Sequence, residues 1–134
     1  MKNKPILLFL AVLLIAVYSC KKDSSNGSIL GKWSIVKTVY HYANDTTVNG
    51  TTNDYYNFAS DSSLSIQNHP DSYTGKFSLK GTSSVGITIY TVDGHGMGVT
   101  TAPAMYTISY LSNDNIVLTS PPYPSGQEIV YLKR

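Results

Sequence analysis

Trp33-Ser34-Ile35-Val36-Lys37-Thr38-Val39-Tyr40-His41-Tyr42 decides the fold. The stretch is rich in β-branched and aromatic residues and free of Gly and Pro, which predicts one continuous extended strand. With a period of two, Trp33, Ile35 and Val39 share a face. The same chemistry recurs downstream in short pieces at 54–59, 63–67, 73–80, 85–92, 105–111, 116–120 and 127–133. Between them stand turn formers: Ser60-Asp61-Ser62, Asn68-His69-Pro70-Asp71, Gly81-Thr82-Ser83-Ser84, Ser112-Asn113-Asp114-Asn115 and Pro121–Gly126. Asn44 to Asn53 reads as a polar loop with Asn49-Gly50 as its turn, and Asp93 to Gly98 as a mobile glycine loop. No segment predicts a helix longer than a turn or two. The expectation is an all-β, short eight-stranded antiparallel up-and-down barrel, closed so that the first strand pairs with the last and leaves no sticky edge.

Alternation assigns the interior. Trp33, Ile35 and Val39 from the first strand and Ile129 and Tyr131 from the last are expected inside. Phe58, Leu64, Ile66, Phe77, Leu79, Ile87, Ile89, Ile108 and Leu118 join them. Strands of about six residues make a barrel about 20 Å tall, and its aromatics fill much of that height, which predicts a small or absent cavity.

Ahead of this domain, Lys2 and Lys4 precede an unbroken apolar run from Ile6 to Val17, followed by Val17-Tyr18-Ser19-Cys20. Twelve residues reach only about 18 Å as a helix, too short to span a bilayer but suited to the core of a secretory signal. The organisation expected is a signal peptide at 1–19, a flexible tether at 20–28 rich in Ser and Asn, and a barrel domain at 29–134. Lys2 and Lys4 leave with the signal, so ten Lys+Arg become eight, against eight Asp+Glu. A neutral domain has no long-range field for nucleic acid, and with one cysteine there is no intramolecular disulfide.

The Val-x-Ser-Cys end resembles the lipobox of bacterial lipoproteins, which implies that Cys20 becomes the acylated first residue of the mature chain. Leu30-Gly31-Lys32-Trp33 resembles the G-x-W opening of lipocalins. With Tyr56–Asp61, Gly75–Leu79, Tyr106–Leu111 and Ile129–Arg134, the chain is similar to the short lipocalin-like domains of Bacteroidetes outer-membrane lipoproteins. The resemblance implies a cell-envelope protein anchored to the membrane through the lipid on Cys20, more often in the outer membrane than the inner. It also implies a barrel floor or cavity drawn from Trp33, Phe58, Phe77, Ile108, Tyr131 and Arg134. A basic residue from the last strand, Lys133 or Arg134, is expected to stack on Trp33. Asp45-Thr46-Thr47 resembles the O-glycosylation signal of exported proteins of that phylum, with Thr46 as the acceptor.

Catalytic constellations are absent from the pattern. His41, His69 and His95 lie in three different elements, with no H-x-x-x-H or C-x-x-C spacing for a metal. Gly94-His95-Gly96-Met97-Gly98 lacks the following helix that a phosphate loop needs. No G-x-S-x-G elbow occurs, and Glu128 is the only glutamate, so no acid/base pair stands out. The reading is a non-enzyme with no cofactor and no metal. Two functions remain: a barrel that binds a small apolar or amphipathic ligand, or a filled barrel that docks on another envelope protein through its loops.

Overall fold

The computed structural model describes residues 28–97, 102–124 and 126–134. The signal segment, Cys20 and the tether up to Gly27 lie outside the described residues. Ten strands form one antiparallel sheet: β1 (Gly31–His41), β2 (Asp45–Asn49), β3 (Tyr55–Phe58), β4 (Ser63–Asn68), β5 (Asp71–Lys80), β6 (Ser84–Val92), β7 (His95–Gly96), β8 (Ala104–Ser112), β9 (Asn115–Thr119) and β10 (Gln127–Lys133). Eight of them follow the order β1-β3-β4-β5-β6-β8-β9-β10, and β10 returns to pair with β1. The barrel is therefore closed and up-and-down, as the strand count predicts, and no helix occurs among the described residues.

Two short strands were not expected. Asp45–Asn49, read as loop, pairs with the second half of β1 from Lys37↔Asn49 to His41↔Asp45, forming a hairpin flap with every residue exposed. Asp93-Gly94, read as part of a mobile loop, is a two-residue turn joining Val92 to His95. Both turn residues have positive φ, 50° and 77°, the signature of a primed hairpin turn, and Asp-Gly is the dipeptide that adopts it most readily. The rest of that loop, 98–101, lies outside the described residues.

A bulge in β1 resets its alternation. Ile35 faces Leu132 and Lys37 faces Tyr131, so Val36 is the extra residue and stands 49% exposed. Before the bulge Trp33 and Ile35 point inward; after it Thr38 is buried and Tyr40 lines the interior. Val39, expected inside, is on the outer phase. Gly50 makes the bulge possible, because its amide donates to the Val36 carbonyl and a Cβ there would overlap the Ile35 carbonyl oxygen.

The last strand is also one residue out of phase with expectation. Val130 and Leu132 are buried to 1% exposure, while Ile129 and Tyr131 face outward, Tyr131 under the Lys37 ammonium 4.5 Å from its ring. Leu79 keeps the interior phase of β5 but is 49% exposed. β4 accompanies β5 only as far as Ser63↔Lys76, so Leu79 sits where β5 has a neighbour on one side alone.

The core occupies one half of the barrel. Trp33, Phe58, Leu64, Phe77, Val85, Ile108, Ile116, Leu118, Val130 and Leu132 form it, with Phe58 and Phe77 edge to face at 5.1 Å between centroids. Ile35 and Ile66 are buried as expected, and Ile89 packs partly buried against the cluster.

Candidate ligand site in the barrel mouth

The strand directions give the barrel two unlike ends. At one end, here the floor, Trp33 is fully buried and its indole N–H donates to the Ile29 carbonyl at 2.7 Å. Arg134 lies over the indole with its guanidinium 4.2 Å from the ring centroid, and donates to the carbonyls of Ser28 and Leu30. The expected stacking on Trp33 is thus present, through Arg134. Ser28, placed in the tether by its composition, is held by this contact.

At the other end, the mouth, Tyr40, Asn68, Tyr73, Val92, Ala104 and Glu128 mark where β1, β4, β5, β6, β8 and β10 open. They line a cavity of about 350 Å³ that continues inward to Tyr56, Ile66, Ile87, Ile89 and Tyr106, with Met97 and Ala102 beside it. That is near the lower end of the ~300–1,000 Å³ typical of small-molecule sites. Cross-strand pairing positions its polar groups: Tyr40 lies opposite Glu128, Tyr56 opposite Ile66, and Ile66 opposite Tyr73. Tyr106 reaches across and donates its hydroxyl to Glu128 Oε2 at 3.0 Å. A second depression lies on the outer face among Lys32, Thr51, Tyr55, Gln67 and His69, but Lys32 is already seated over the Tyr55 ring at 4.0 Å.

Burial is the main force on the titrating groups here. It raises the Glu128 carboxyl above its ordinary value, with the Tyr106 hydrogen bond pulling the other way. Tyr106 is pushed up by burial, by the nearby Glu128 charge and by donating to it. Tyr56 is raised well above its ordinary value by burial and then by Glu128, while Tyr40 and Tyr73 are raised chiefly by burial. The four phenols therefore stay neutral, offering ring faces and hydroxyls around one carboxyl. No group of three or more His, Cys, Asp or Glu that could hold a metal occurs among the described residues.

The sequence-derived candidates fall elsewhere. Trp33, Phe58, Phe77 and Ile108 build the packed half, Arg134 closes the floor, and Tyr131 is on the outer face; none of the six lines the cavity. Thr46 is exposed on the β2 flap opposite Tyr40. Of the three histidines, His41 holds Nδ1 2.8 Å from the Asp45 carboxylate and His95 is exposed in β7. His69 donates its backbone N–H to Asp54. Cys20 lies outside the described residues.

Sequence reasoning missed Glu128 and the tyrosines around it. Glu128 was visible as the chain's lone glutamate, just before the apolar run Ile129–Leu132, and it shares a face with Val130 and Leu132. That alternation carried the signal.

No family model, no curated protein and no solved structure matches the chain.

Proposed function

We propose that this is a lipid-anchored envelope lipoprotein with a lipocalin-like barrel that holds a small amphipathic molecule in its mouth. The observation that carries this reading is the tyrosine-lined cavity of about 350 Å³, open at one end and sealed at the other by Trp33 and Arg134. A barrel serving only as a scaffold gains by filling its interior, since unfilled volume costs packing energy. Retention of polar groups around an open cavity is the pattern of a binding site.

The anchor proposed at Cys20 fits the same geometry. Ser28 meets Arg134 at the floor, and the eight residues from there back to Cys20 span at most about 29 Å extended. The floor would face the membrane and the mouth would face away from it, open to a ligand.

The test is native mass spectrometry of the chain from Ser24, purified from the envelope compartment of the cells that make it, beside an Ala104→Trp variant that fills the mouth. A small-molecule adduct on the parent chain and its loss from the variant is the expected result. A second reading, docking on another envelope protein, draws on the exposed rings of Tyr42 and Tyr123, 56% and 51% accessible. A co-purifying protein in place of an adduct would favour it.

A further inference from the structure

We infer that the mouth takes an amphipathic organic cation, its ammonium group seated against Glu128 among Tyr40, Tyr56, Tyr73 and Tyr106 and its apolar body against Ile66, Ile87 and Ile89. This deepens the proposed binding function and rests on it.

Three observations carry the inference. The first is a carboxylate without a counter-charge. Glu128 lines the cavity, Tyr106 occupies Oε2, and Oε1 meets no donor among the described residues. No ion pair to Glu128 exists among them either. No buried side-chain polar atom among the described residues lacks a partner, so the free Glu128 oxygen is open to the cavity, where an entering donor or cation can reach it.

The second is the aromatic surround. Four tyrosines border the same cavity, and three of them, Tyr40, Tyr56 and Tyr106, are close enough to Glu128 for its charge to raise their hydroxyls. Electron-rich ring faces attract cations, and cages of such rings beside a carboxylate suit ammonium groups. They have no comparable attraction for an anion.

The third is the division of charge along the barrel. The mouth carries Asp71, Asp93 and Glu128, with Asp71 accepting from Tyr73 at 3.1 Å and Asp93 from the Ser72 amide at 2.7 Å. Every Lys and Arg of the described residues stands elsewhere. Lys80, Lys133 and Arg134 are at the floor, Lys32 and Lys37 lie over Tyr55 and Tyr131 on the outer face, and Lys76 is paired across from Ser63. An approaching cation meets an acidic rim, and an approaching anion is repelled.

The test uses three probes with one apolar body: octylammonium, octanol and octanoate, titrated calorimetrically at neutral pH into the chain from Ser24, which keeps every described strand and core residue. The expected result is binding of octylammonium at least about tenfold tighter than octanol, with octanoate weakest. Glu128→Gln keeps an acceptor for Tyr106 and should bring octylammonium down to about the affinity of octanol for the same variant. Tyr106→Phe should weaken octylammonium binding and preserve its rank over octanol. Equal affinity for octanol and octylammonium, unaltered in Glu128→Gln, would overturn the cation assignment and leave the binding site standing. Failure of all three probes, with no adduct in native mass spectrometry, would overturn both.

Discussion

The floor and the mouth of this barrel are made by the same eight strands and are chemically opposite. At the floor the interior is Trp33, Phe58, Leu64, Val85, Leu118, Val130 and Leu132, each at most 2% exposed. At the mouth the same strand faces continue as Tyr40, Tyr73, Tyr106 and Glu128, partly buried around open volume. One half is packed and the other leaves a cavity, the site proposed for a ligand, because a closed barrel needs only part of its height packed to hold its hydrogen-bonded ring. Substitutions at the two ends should therefore separate stability from binding.

The largest effect is expected at the floor. Trp33→Ala removes a fully buried ring, the acceptor face for Arg134 and the indole donor to Ile29, and should cost about 3–5 kcal/mol in urea unfolding. An equal loss from any single mouth tyrosine would erase the contrast between the halves.

Next is Asp54, 3% exposed at the junction of the β2 flap and the β4–β5 turn. Burial alone would raise its carboxyl, but the amides of His69 and Thr51, at 2.9 and 2.7 Å, hold it below the ordinary value. Asp54→Ala strands both amides and should cost about 1–3 kcal/mol. Arg134→Ala should follow at about 0.5–2 kcal/mol from lost stacking, read by the same unfolding curves.

The smallest effect has the opposite sign. The folded Glu128 carboxyl titrates above its unfolded value, so the native state holds a proton that the unfolded chain has lost. That stabilisation is complete below the unfolded pKa and is lost as pH rises through the folded pKa. The groups nearest Glu128 are Tyr40 from β1, Tyr56 from β3 and Tyr106 from β8, with Tyr73 from β5 on the same cavity, all neutral in that range. Asp54 behaves conversely: its contribution is full above the unfolded pKa and lost as pH falls through the folded value. Unfolding measured across the acid range should show Glu128→Gln slightly more stable than the parent at neutral pH, and Asp54→Asn less stable. A less stable Glu128→Gln would mean that Glu128 is a structural residue.

These contrasts also explain what was legible in the chain. Strand number, antiparallel order and closure followed from alternating apolar residues and from the turn formers between them. Trp33, Phe58, Leu64, Phe77, Ile108 and Leu118 were placed inside correctly for that reason. The phase was lost where both faces of a strand are apolar. In β10, Ile129 and Tyr131 are as hydrophobic as Val130 and Leu132, so local pattern cannot choose between them. In β1 the Val36 bulge shifts the face in mid-strand, and it depends on Gly50, distant in sequence. The mouth stayed hidden because its defining group is a single glutamate on a face whose phase was misassigned. The Asp93-Gly94 pair is a turn signal in itself, but the glycines at 96 and 98 beside it mask the hairpin in a local reading.

Closure of the seam between the first and last strands underlies both halves, and amide hydrogen exchange tests it directly. Slow exchange is expected at Lys37 and Val39 of β1 and at Ile129 and Tyr131 of β10, which pair across the seam. By contrast, the Ile35 amide donates to Asp54 on the other side of β1, and the Glu128 carbonyl and Arg134 amide bond toward β9. Rapid exchange along the facing edge of either strand would mean an open sheet, and the mouth would then have no wall between Tyr40 and Glu128.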